Sequence, residues 1–127
     1  MAIIGIDLGT TNSLAAVWRN GKSELIPNAA REYLTPSVVS VDEDGTILVG
    51  AAARERLITH PECTAACFKR AMGTSRRFEL GGQSFTAEEL SSFVLRRLRE
   101  DAEAYLGEVV DEAVVSVPAY FAEAQRA

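Results

Sequence analysis

Asp7, Gly9, Thr10, Thr11 and Asn12 fall within Ile3-Ile4-Gly5-Ile6-Asp7-Leu8-Gly9-Thr10-Thr11-Asn12-Ser13, and their types suit a polyanion. Gly9 lets the backbone approach a ligand closely. The amides and hydroxyls of Thr10, Thr11 and Asn12 can donate to phosphate oxygens, and consecutive amides in a turn make a concavity for anions. Asp7 adds what the donors lack, because a carboxylate beside polyphosphate normally meets it through a divalent cation and its waters. Asp-Leu-Gly alone is also an ordinary turn after a strand. The whole run, with its paired threonines, is much more specific.

These residues need a strand to carry them and a turn to present them. Ile3 to Asp7 is a continuous apolar run, as expected for a strand covered on both faces. Ser13 to Arg19 is stopped by Asn20-Gly21, a strong hairpin signal, and Lys22 to Ile26 alternates polar with apolar. Three antiparallel strands are therefore expected to open the fold, with the glycine-threonine bend as a hairpin turn and not the strand-to-helix turn of a P-loop. Gly21-Lys22-Ser23 copies the tail of a P-loop motif, but Ala16 stands where its first glycine belongs. Pro27 to Pro36 reads as a surface connection, and Ser37 to Val41 with Thr46 to Val49 as a hairpin about Asp42-Glu43-Asp44-Gly45. Ala51 to Thr59 favours helix, ended near Pro61, and Thr64 to Met72 reads as a second short helix capped by Gly73. Gly81-Gly82 separates the two arms of a small ribbon, Arg77 to Leu80 and Gln83 to Phe85. Thr86-Ala87-Glu88-Glu89 is a capping box opening a helix from about Ala87 to Leu106, with Leu90, Phe93, Val94, Leu98, Ala102 and Tyr105 as its apolar stripe. Val109 to Val117 returns to strand, Pro118 ends it, and Ala119 to Ala127 reads as the first turns of a helix, so that the chain is expected to be a truncated piece.

The chain has 127 residues, 47% of them hydrophobic and 24% charged, as in an ordinary globular domain. Its net charge of -5 disfavours a sequence-independent grip on nucleic acid or anionic lipid, which needs many basic residues. Arg96, Arg97 and Arg99 alternate with Glu100, Asp101 and Glu103 and read as an ion-paired helix face. No signal peptide or membrane span is expected, which leaves a cytoplasmic setting by default. On a helix, His60, Cys63 and Cys67 would share a face. A structural zinc site wants four ligands, and no fourth is near in sequence, so the thiols read as small side chains in a reducing compartment.

Lys69, within Phe68-Lys69-Arg70-Ala71-Met72-Gly73, is one of two lysines. A lysine beside transferring phosphate can stabilise developing charge and position the attacking water; it can also simply be a solubilising surface residue. Pro118, in Ser116-Val117-Pro118-Ala119-Tyr120-Phe121, makes a stiff corner that could relay a rearrangement or merely turn the chain.

The opening run resembles the first phosphate loop of the ATPase superfamily that includes actin, the sugar kinases and the seventy-kilodalton heat-shock chaperones. Taken in order with Leu34-Thr35-Pro36-Ser37, Phe68 to Gly73, Val115 to Phe121 and Gln125-Arg126, it resembles the start of a DnaK-type chaperone along the whole chain, nearest to the HscC-like bacterial branch. The resemblance implies an α/β fold, an actin-like (ribonuclease H-like) ATPase lobe whose mixed sheet opens with antiparallel strands and is flanked by helices. It implies that residues 1–127 are the first lobe of a nucleotide-binding domain, the second lobe and substrate-binding domain belonging to later sequence. Gly9, Thr10, Thr11 and Asn12 would contact the β- and γ-phosphates of ATP or ADP, Asp7 would hold Mg2+ through water with K+ close by, and Lys69 would be the catalytic lysine. Pro118 and Arg126 match the family's coupling switch, whose acidic partner would lie past Ala127. Unfolded client polypeptides and a J-domain co-chaperone are the implied partners, with no nucleic acid and no membrane. A sugar or acyl kinase and an actin-like filament ATPase share the opening loop; the Val-Pro-Ala-Tyr-Phe corner and the Phe-Lys-Arg-Ala-Met-Gly segment resemble the chaperones instead.

Overall fold

Strand β1 (Ala2–Leu8) turns through Gly9, Thr10 and Thr11 into the antiparallel β2 (Asn12–Arg19), with Ile4 opposite Val17 and Leu8 opposite Ser13. The Asn20-Gly21 turn, both residues at positive φ, returns the chain along β3 (Lys22–Ile26). The expected three-stranded opening is thus present. After a loop, β4 (Thr35–Pro36) adds two residues to the free start of β2, Asn12 facing Pro36 and Ser13 facing Thr35. The coordinates are a computed structural model and describe residues 2–116; Pro118, Arg126 and the helix expected from Ala119 lie outside the described residues.

A second sheet follows at once. β5 (Val38–Val41) is central, flanked by β6 (Ile47–Val49) on one side, and α1 (Ala51–Thr59) packs against it with Ala53 buried. Its other neighbour is β7 (Thr64–Ala66), with Val38 facing Ala66 and Ser40 facing Thr64. This corrects the helix expected over Thr64 to Met72. Local propensity there yields to sheet pairing: Thr64 and Ala65 are buried, and the Ser40 and Thr64 hydroxyls lie 2.9 Å apart. Cys67 then adopts a left-handed conformation, φ 57, and a single 3-10 turn spans Phe68–Ala71. Cys63 and Cys67 therefore do not share a helix face.

The ribbon β8 (Arg77–Leu80) and β9 (Gln83–Thr86) leads into α2 (Ala87–Leu106). The capping box is complete: the Thr86 hydroxyl accepts from the Glu89 amide at 3.1 Å, and the Glu89 carboxylate accepts from the Thr86 amide at 2.8 Å. Leu90, Val94, Leu98 and Ala102, four apart, are buried, while Phe93 is only half-buried and Tyr105 points outward. That stripe lies on the inner face of the first sheet, against Ile4, Ile6, Leu8, Ala15 and Val17, and the same core reaches Val39, Val41 and Phe68 of the second layer. β10 (Val110–Ser116) closes the first sheet by pairing parallel to β1, Gly5 beside Val114. The result is the mixed α/β arrangement expected from the sequence.

β1 departs from one expectation. Ile4, Ile6 and Leu8 are buried, but Ile3, Gly5 and Asp7 are exposed, so among the described residues one face of the strand is covered and not both. α2 supplies that cover, and Asp7 thereby reaches the surface.

Candidate functional site

The bend between β1 and β2 is built from its glycine outward. A Cβ at Gly9 would collide with the carbonyl oxygen of Asn12, so the turn closes only because that position has no side chain. Two buried serines clasp it from behind. The Gly9 amide donates to Ser13 Oγ at 3.3 Å, Ser13 Oγ lies 2.9 Å from Ser37 Oγ, and the Ser37 hydroxyl donates to the Gly9 carbonyl at 2.8 Å. The Ser37 amide also donates to the Thr11 carbonyl at 2.9 Å. Ser13 and Ser37 are buried, whereas Thr10 and Asn12 are half-buried and Thr11 is exposed.

The outer side of the bend keeps its polar groups free. Among the described residues, no hydrogen bond engages the side chains of Thr10, Thr11 or Asn12 or the amides of Thr10 and Thr11. Asp7 stands at the end of β1 between Leu14 and Ser116 on the exposed face, with no ion pair or hydrogen bond to its carboxylate among the described residues. Donors for a phosphate stand on the turn, and beside them at the end of β1 stands a carboxylate able to accept from the waters of a hydrated divalent cation.

Lys69 stands on a separate element, the 3-10 turn after β7, and is half-buried. Phe68 beside it is 1% exposed and anchors the turn in the core. The route from the bend to Lys69 crosses a single strand pairing. Ser37 precedes Val38, Val38 pairs with Ala66, and Ala66 is three residues from Lys69. The sequence identified the bend and Lys69 but assigned no role to Ser13 or Ser37. Their sequence neighbours, Asn12 and Leu14 for Ser13 and Pro36 and Val38 for Ser37, carried no signal of a hydroxyl contact made across 24 residues.

Other features lie apart from this turn. A cleft of about 260 Å3 between the Asn28–Ala30 loop, Gly50 and α2 is bordered by Arg97 and Asp101, and none of the expected site residues lines it. Among the described residues no group of three His, Cys, Asp or Glu side chains is placed to hold a metal ion by itself, and no helix is long and apolar enough to cross a membrane.

A family model described as Hsp70 protein matches residues 3–80 and 75–127. The chain is 49% identical to the chaperone protein DnaK of Endomicrobium trichonymphae over 98% of its own length and 21% of the relative's. It is 48% identical to the chaperone protein DnaK of Methanothermobacter thermautotrophicus, over 98% of this chain and 22% of that one. The chain therefore spans about a fifth of the length of these curated relatives.

Proposed function

The chain belongs to the Hsp70 family, and from that premise we propose that it is the first lobe of an ATPase domain in an ATP-dependent chaperone. The observation that carries this reading is the bend itself, whose donors at Thr10, Thr11 and Asn12 and neighbouring Asp7 carboxylate have no partner among the described residues, on a chain so similar to proteins named DnaK. Gly9 to Asn12 bind the β- and γ-phosphates of ATP. Asp7 would hold Mg2+ through water, and the ion would neutralise phosphate charge. Lys69 would stand beside the γ-phosphate, where its ammonium would stabilise the charge that grows as water attacks in line. Little covalent chemistry is asked of the protein in such a transfer. Positioning and electrostatics supply the acceleration.

In the whole protein, ATP binding and hydrolysis drive cycles of capture and release of unfolded polypeptides, with a J-domain co-chaperone stimulating hydrolysis in a cytoplasmic setting. Pro118 and Arg126 form the coupling switch between nucleotide and peptide sites. The similarity to DnaK chaperones supports these assignments over a sugar kinase or a filament ATPase.

Lys69→Ala in the full-length protein is expected to lower ATP turnover by about a hundredfold or more, the loss typical of a removed transition-state donor. ATP affinity, read by calorimetry, should change only a few-fold on the same grounds. Unchanged turnover would remove Lys69 from the site.

A further inference from the structure

The proton positions in the clasp behind the bend follow from counting. A serine hydroxyl has one proton to give and can accept as well. The Ser37 proton goes to the Gly9 carbonyl at 2.8 Å, so the 2.9 Å contact between the two hydroxyls is a donation from Ser13 to Ser37. Ser13 in turn accepts from the Gly9 amide. The ring runs in one direction, from Gly9 N–H through Ser13 and Ser37 back to Gly9 C=O, and each bond polarises the next. It is shielded from water, with Ser13 at 0% and Ser37 at 3% exposure.

The ring has a directional consequence. In a trans peptide the C=O and the following N–H point in opposite directions, and the described chain has no cis peptide bond. Holding the Gly9 carbonyl toward Ser37 therefore turns the Thr10 amide away from it. Holding the Thr11 carbonyl on the Ser37 amide does the same to the Asn12 amide. One residue thus fixes two peptide planes of the bend.

We propose that Ser13 and Ser37 are positioning residues that aim the amides of the glycine-threonine bend at the phosphates of the bound nucleotide. The inference rests on the proposed nucleotide reading and adds to it the parts that orient the donors. Ser37 also lies directly before Val38, whose strand partner Ala66 leads to Lys69, so the same residue ties the phosphate bend to the layer that carries the lysine.

The test compares ATP with adenosine, which lacks phosphates, on the full-length protein and its Ser37→Ala, Ser13→Ala and double variants, with thermal melting to confirm folding. Misaimed amides should weaken ATP binding by about tenfold or more, the scale of a lost hydrogen bond to a charged group, while adenosine affinity stays the same. The double variant should lose no more than the worse single one, because either change opens the ring. Equal losses for ATP and adenosine would mean a structural role only and would overturn the inference, as would ATP affinity unchanged in both single variants. Should one single variant fail to fold, the other carries the same comparison. An unmodified protein that bound adenosine but gained nothing from the phosphates would instead overturn the nucleotide reading at its root.

Discussion

Gly9 shows how much a single missing side chain decides. Its neighbours need the space a Cβ would fill, because the Asn12 carbonyl oxygen lies where that atom would stand. Gly9→Ala must therefore open the bend, at about 2 kcal/mol of stability on the scale of overpacked sites. It should also displace the Gly9 carbonyl from Ser37, so that ATP affinity falls together with the urea midpoint. A variant with full stability and full affinity would show that the turn tolerates the methyl. Cys67 is a contrasting case at the same scale. A non-glycine residue held at φ 57 is uncommon, and here it marks the switch from β7 to the turn that lifts Lys69 from the sheet.

At the scale of elements, α2 is the part on which both layers rest. Its capping box and its C-terminal Gly107, at φ 69, set its ends, and its stripe of Leu90, Val94, Leu98 and Ala102 sets its face. Asp101 interrupts that pattern as a buried carboxylate 3.9 Å from the Arg97 guanidinium. Burial raises its pKa above the ordinary 3.8, against the pull of Arg97 and with Glu100 adding to the rise. A raised folded value means that the carboxyl favours the fold fully below the unfolded pKa, and that this contribution is lost as pH climbs through the folded one. Asp101→Asn keeps the shape and removes the titration. Its melting temperature should exceed that of the parent by more at neutral pH than at about pH 3.5, where the parent carboxyl is itself largely protonated. A difference independent of pH would show that ionised Asp101 costs the fold nothing.

For the whole molecule, the exposed face of the first sheet bears on what this chain can do alone. Ile3 at 54% and Trp18 at 70% exposure stand on β1 and β2, whose other face is well buried, and Val114 of β10 is 70% exposed, in a chain about a fifth the length of its relatives. Small ligands are held where most of their surface is covered. The bend supplies donors from one side only, and the isolated 127-residue chain is expected to bind ATP far more weakly than the full-length protein. Calorimetry giving micromolar affinity for the isolated chain would contradict this.

The sequence by itself determined the elements whose cause is local. Asn20-Gly21 places the first hairpin, Thr86 and Glu89 start α2, and the glycine-threonine run with Asp7 marks the proposed anion site, because each acts through neighbours within a few residues. Only the tertiary structure decided that Thr64–Ala66 is a strand, since its backbone partners on β5 lie more than twenty residues away, and that β1 is covered on a single face, since α2 provides the cover. It also decided the clasp. Ser13 and Ser37 are 24 residues apart, and nothing in either residue's surroundings along the chain encodes a hydroxyl contact that exists only once β2, β4 and β5 have met.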